Sequence, residues 1–120
     1  SELINFHNSH NKIGTVTVTN PVSRFGLVEF DENNLVTKFT EKPKLDGFIN
    51  IGFMVFDKSV LNYLDNNSIL ETDPLINLSK DSELMSFVHN GYFEPMDTYR
   101  EYLQLNEYWE SGNPPWMSFK

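Results

Sequence analysis

The chain has 120 residues, enough for one compact domain with a modest core. Hydrophobic residues make up 39% and charged residues 22%, which excludes a disordered chain, and ten Phe, five Tyr and two Trp supply bulky bodies for packing. A formal net charge of -8 with no basic stripe excludes nucleic-acid and anionic-membrane binding, and the lack of cysteine excludes disulfides and thiolate metal sites.

Leu3, Ile4 and Phe6 set a short helical pattern ending near His10-Asn11, with Glu2 in its first turn. Ser1-Glu2-Leu3-Ile4 opens without Met and runs straight into that helix, as expected of a boundary cut into a longer protein. Ile13 to Asn20 alternates β-branched residues and predicts a strand closed by Pro21. Residues 25–31 and 35–41 predict two further strands around Asp31-Glu32-Asn33-Asn34, a β-hairpin. Lys44 to Gly47 is a loop, and Phe48 to Phe56 is a nearly continuous apolar run, as in a strand covered on both faces.

Helices are expected over 58–64 and around 74–79, where Pro74 suits a first turn. Glu83 to His89 and Tyr92-Phe93 predict short strands separated by Asn90-Gly91. Thr98 with Glu101 makes a capping box for a last helix whose Tyr99, Tyr102, Leu103 and Trp109 form most of one face. Ser111-Gly112 and then Pro114-Pro115 stop it. No repeat or second domain is visible, no apolar stretch approaches a membrane span, and the absence of cysteine suits a cytoplasmic protein.

Four local features could carry chemistry. Period-two counting puts Glu41 on one face with Leu35 and Phe39, and Lys42 on the other. A carboxylate ending an apolar stripe is costly to desolvate unless it accepts hydrogen bonds, which sugar hydroxyls can donate, and a neighbouring ammonium can meet a phosphate. A wet strand end with a surface Glu-Lys pair fits the same spacing. Asn50 and Gly52 fall together on an otherwise apolar strand, marking either close approach by a ligand or a crowded core position. Asp97 precedes the capped helix, where it can bind a hard cation such as Mg²⁺ or simply complement the helix dipole. His7 and His10 stand at helical spacing without a third nearby ligand, a pattern of packed or surface histidines rather than zinc. No Gly-rich phosphate loop and no Ser/His/Asp triad pattern occurs.

As an ordered set the residues are more specific. Phe6-His7-Asn8-Ser9-His10, Arg24-Phe25-Gly26, Glu41-Lys42-Pro43, Ile49-Asn50-Ile51-Gly52-Phe53 and Met96-Asp97-Thr98 occur in order, followed by Trp109-Glu110-Ser111-Gly112 and Pro115-Trp116. The series resembles, over essentially the whole chain, the later part of sugar-1-phosphate nucleotidyltransferases of the glucose-1-phosphate cytidylyltransferase type. That resemblance implies an α/β fold: part of a Rossmann-like, GT-A-like domain with a mixed sheet and a β-hairpin. It implies an enzyme that transfers CMP from CTP to glucose-1-phosphate, releasing CDP-glucose and pyrophosphate, with Mg²⁺ as cofactor and assembly into homo-oligomers.

Carried over by motif, Glu41 binds sugar hydroxyls, Lys42 binds the sugar phosphate, Gly26 and Asn50 line the sugar pocket, and Asp97 is a Mg²⁺ ligand. Lys42 and Asp97 are thus the expected catalytic groups. The family's nucleotide-binding Gly-rich loop and its other metal-binding Asp are expected before Ser1, so this sugar-binding half is expected to be inactive alone. Ile51 stands where the family often has a glycine, and Tyr99 and Glu101 replace the common Leu and Asp after M-D-T. The alternative is a non-catalytic sugar-phosphate-binding or assembly module, which the upstream coding sequence separates from the enzyme half; a third reading is an interaction domain using the aromatic tail of Trp109, Pro114, Pro115 and Trp116.

Overall fold

The computed structural model describes residues 1–117. They fall into two compact units, Ser1–His89 and the described residues from Asn90 onward.

In the first unit, α1 (Glu2–Ser9) starts where the Ser1 hydroxyl accepts from the Ile4 N–H, with Glu2 complementing the dipole. The strands β1 (Gly14–Thr19), β4 (Ile49–Phe56) and β5 (Leu84–Val88) form one sheet in the order β4-β1-β5. β1 runs antiparallel to β4 and parallel to β5, so the sheet is mixed. The β-branched run of β1 suits this central position: Thr15, Val16, Thr17 and Thr19 are all buried. Phe6 of α1 packs its ring 5.5 Å from that of Phe87 on β5, which lays the helix against the sheet. Between β4 and β5 the chain forms the expected helix, of 3₁₀ type, over Lys58–Tyr63, and then α2 (Asp73–Lys80). Pro74 sits in the first turn of α2, and Leu78 on that helix is fully buried.

The strand expected to be covered on both faces behaves differently. β4 lies at the sheet edge, and Ile49 and Phe53 are exposed. The buried strand of this sheet is β1 instead, which also has a partner strand on each flank.

The hairpin is a separate two-stranded sheet of β2 (Leu27–Phe30) and β3 (Val36–Thr40). Its turn is built by Asp31, whose Oδ1 accepts from the Asn33 and Leu35 N–H groups at 2.8 and 3.0 Å. Asn34 takes the left-handed backbone there, with φ 65°.

In the second unit, α3 (Tyr99–Glu110) begins at the expected capping box. The expected strand at Tyr92-Phe93 does not form. Tyr92 turns its ring instead toward Tyr108 and Trp116, with centroids 6.3 Å away in both cases. The face of α3 that packs carries Glu101, Leu105 and Tyr108, while Tyr99, Tyr102, Leu103 and Trp109 stay exposed. No helix among the described residues is long and apolar enough to cross a membrane.

Candidate functional site

The expected site residues lie in both units: Gly26, Glu41, Lys42 and Asn50 in the first, Asp97 in the second. The structure brings Gly26 and Glu41 together. The hairpin ladder ends at Leu27↔Thr40, and pairing resumes across the isolated bridge Val22↔Lys44, reinforced by the Ser23 N–H donating to the Pro43 carbonyl at 2.8 Å. Between those two points the strands part, and Gly26 faces Phe39 and Glu41. A Cβ at Gly26 would lie 2.7 Å from Phe39 Cζ and 3.4 Å from Glu41 Oε2. The same-face relation of Phe39 and Glu41 is therefore present, and glycine is what lets both side chains lie over that backbone.

Lys42 turns the chain out of the ladder with φ 46°, a left-handed conformation, immediately before Pro43. Cβ sterics disfavour that region for lysine, and the following proline ring crowds helical conformations further. Both Glu41 and Lys42 are exposed, and neither has a hydrogen-bond or ion-pair partner among the described residues. They offer a carboxylate and an ammonium, adjacent in sequence, for outside partners.

Asn20, which the sequence reading passed over, secures this region. Its Nδ2 donates to the carbonyls of both Leu45 and Gly47, tying the loop after Lys42 to the end of β1. An Asn between a strand and a proline was the available signal, because such a side chain commonly bonds nearby backbone.

Asn50 lies where β4 bulges. The ladder pairs Val16 with Met54 and Val18 with Asn50, so Ile51, Gly52 and Phe53 all oppose Thr17. Gly52 adopts φ 89°, and period-two counting stops at this point. The Asn50 Oδ1 accepts from the Gly52 N–H at 2.9 Å, which points the amide NH₂ away as a donor.

His7 and His10 are packed rather than ligating. Both rings meet the Thr15 hydroxyl, at 2.8 Å from His7 Nδ1 and 2.7 Å from His10 Nε2. Across the described residues no group of three or more His, Cys, Asp or Glu could hold a metal. Asp97 is exposed, and its carboxylate has no partner among the described residues. A lone hard oxygen donor fits Mg²⁺ as one protein ligand, since that ion takes one or two carboxylates and fills its shell from phosphates and water.

Tyr63 and Tyr92 have perturbed phenols. The Tyr63 hydroxyl donates to Asp81 Oδ2 at 2.6 Å, and that bond, then desolvation and the nearby Asp81 and Glu83 charges, raise it above its ordinary value. Burial and then the charge of Glu94 do the same to Tyr92. Neither lies among the expected site residues.

The sequence profile of the nucleotidyl transferase family matches residues 1–110. Two glucose-1-phosphate cytidylyltransferases, from Salmonella typhi and Salmonella typhimurium, are each 42% identical over 119 residues, which is 98% of this chain and 46% of theirs. The chain spans about half the length of these curated relatives. A crystal structure from Bacillus anthracis, provisionally assigned as a glucose-1-phosphate thymidylyltransferase in complex with sucrose, matches with a TM-score of 0.60 at 16% identity. It covers 98% of this chain and 49% of that one. The likeness establishes the fold: α/β, with a mixed sheet and an antiparallel hairpin.

Proposed function

Because the chain belongs to the nucleotidyl transferase family, we propose that it is the sugar-binding half of an enzyme that joins CTP to glucose-1-phosphate. The identity with two cytidylyltransferases supports this choice of substrates. In the reaction a sugar-phosphate oxygen attacks the α-phosphorus of the nucleotide in line. The bond to the β-phosphate breaks, pyrophosphate leaves, and CDP-glucose results.

Little covalent chemistry falls to the protein in such a transfer; positioning and charge placement dominate. Glu41 accepts hydrogen bonds from sugar hydroxyls, Gly26 keeps the space beside it free of a Cβ, and Asn50 donates its amide N–H to a sugar oxygen. Lys42 neutralises the sugar phosphate and orients the attacking oxygen. Asp97 would hold Mg²⁺, as a single hard oxygen-donor residue can. The ion, when bound, supplies charge neutralisation at the phosphates.

One observation carries this proposal: unpartnered Glu41 and Lys42 are adjacent, and Lys42 holds a left-handed backbone directly before Pro43. Such strain costs about 1–3 kcal/mol and concentrates at ligand clamps. The test uses the full-length protein, following pyrophosphate release with CTP, Mg²⁺ and glucose-1-phosphate. Lys42→Ala deletes a charge-assisted contact worth about 1.5–3 kcal/mol, so KM for the sugar phosphate rises about ten- to hundredfold. Unaltered kinetics in Lys42→Ala and Glu41→Gln together would remove both assigned roles. The 120-residue chain alone releases no pyrophosphate; turnover by it would overturn its assignment as half an enzyme.

Assembly is the second function that a specific observation favours. Phe25, Phe30 and Phe39 on or beside the hairpin are each more than 60% exposed, and Trp109 on α3 is 61% exposed. Apolar surface on this scale marks contact with further protein, either the other half of the same polypeptide or a second copy. Light scattering on the full-length protein decides it: a homo-oligomer supports assembly, and a monomer at high concentration removes it.

A further inference from the structure

The backbone that carries Asp97 is itself held by a buried carboxylate. Glu101 is only 6% exposed, and its Oε2 accepts from the Asp97 N–H at 2.8 Å and from the Thr98 N–H at 2.9 Å. In return the Thr98 hydroxyl accepts from the Glu101 N–H at 3.3 Å. The reciprocal Thr98–Glu101 bonds are the capping box, and they suffice to start the helix. The bond to Asp97 is additional. Asp97 precedes the N-cap, so its N–H is not one of the donors that a helix end leaves unsatisfied.

The effect of that extra bond falls on Asp97. With its own N–H and the next one fixed on the same oxygen, the peptide planes on both sides of the Asp97 Cα are anchored. Its side chain remains exposed and without a partner among the described residues. A locked backbone bearing an uncommitted carboxylate is how an outer residue fixes a metal ligand before the metal arrives.

We infer that Glu101 is a positioning residue for Asp97, presenting its carboxylate to the divalent cation through the shared Oε2. This rests on the proposal that Asp97 is a metal ligand. The sequence showed Glu101 only as a helix cap, since spacing reveals the box but not a bond that reaches past it.

The test is a titration of the full-length protein with Mn²⁺ alone, reading free metal by electron paramagnetic resonance. Glu101→Ala weakens Mn²⁺ binding about tenfold, the lower end of what loss of such an outer partner costs. Asp97→Asn weakens it at least as much, and the double variant binds no worse than Asp97→Asn alone, because Glu101 acts only through Asp97. Thr98→Ala breaks the cap and lowers the unfolding temperature, yet leaves Mn²⁺ affinity within about twofold, since a cap carries about 1 kcal/mol of helix stability. If Glu101→Ala does not fold, Glu101→Gln replaces it: the amide oxygen still accepts, so the loss is smaller but equally absent from the Asp97→Asn background. Unchanged affinity in Asp97→Asn overturns the ligand assignment and the inference with it. A loss in Asp97→Asn combined with no loss in the Glu101 variant, an additive loss in the double variant, or an equal loss in Thr98→Ala overturns the positioning role alone.

Discussion

Replacing Thr15 by Val tests how α1 is fastened to the sheet. The two side chains have nearly the same shape, so the change removes a hydroxyl and little else. Thr15 is fully buried. The Lys12 N–H donates to His10 Nδ1 at 3.1 Å, which places the proton of a neutral His10 ring on Nε2, facing Thr15 Oγ1. The Thr15 hydroxyl accepts that proton's hydrogen bond and donates its own to His7 Nδ1, leaving His7 Nε2 to donate to Asp57 Oδ1 at 3.2 Å. Each donor in this relay has one acceptor.

Valine cuts the two inner links. Two hydrogen bonds at about 0.5–1.5 kcal/mol each, with buried His7 Nδ1 left unsatisfied, amount to a loss of about 2–4 kcal/mol. Urea unfolding near neutral pH, followed by far-ultraviolet circular dichroism, measures it. With a slope of about 2 kcal/mol per molar urea, the midpoint falls by about 1–2 M. Thr15→Ser keeps the hydroxyl and should lose less than half as much. A Thr15→Val midpoint within about 0.3 M of the parent would refute the relay as a structural link.

Gly26→Ala puts a methyl 2.7 Å from Phe39 Cζ, but that ring is 63% exposed and can swing aside. Stability should therefore change by less than about 1 kcal/mol, while calorimetric affinity of the full-length protein for glucose-1-phosphate drops. Equal affinity would mean the space beside Glu41 is not used. Asn50→Asp replaces the outward amide donor by an acceptor and should weaken the same binding more than Asn50→Ala does; the reverse order would show that the amide is not a donor there. At alkaline pH, folded Tyr63 keeps its proton higher than the unfolded chain does, as its bond to Asp81 requires. Its stabilising contribution is whole below about pH 10 and disappears as pH rises through the folded value, so the stability gap between the parent and Tyr63→Phe should narrow there. A gap independent of pH up to 11 would contradict this. The isolated chain should also self-associate in light scattering, given its exposed apolar faces, and a clean monomer at high concentration would count against that.

Local chemistry was legible because it is written in neighbours. The Asp31–Asn34 turn, the β-branched β1 and the Thr98–Glu101 box each need only residues a few positions apart. Coverage was not. A periodic pattern says which residues share a face and leaves open what lies against it. Thus the apolar run of β4 became an exposed edge, and α3 packed through Glu101, Leu105 and Tyr108 rather than through its more conspicuous aromatic face. At the candidate site, Glu41 with Lys42 stood out as a motif, but the left-handed turn at Lys42 and the reach of Glu101 to Asp97 are local geometry that spacing does not specify, and only the Asn20 clamp, which bonds Leu45 and Gly47, depends on three-dimensional closure.

The backbone at position 42 has an implication for engineering. Glycine or asparagine would adopt φ 46° with less steric conflict than lysine, a relief of about 1–2 kcal/mol, partly offset for glycine by the greater freedom of the unfolded chain. Variants screened for heat resistance alone would therefore drift toward losing the ammonium, and such a library needs a turnover assay running beside the thermal one.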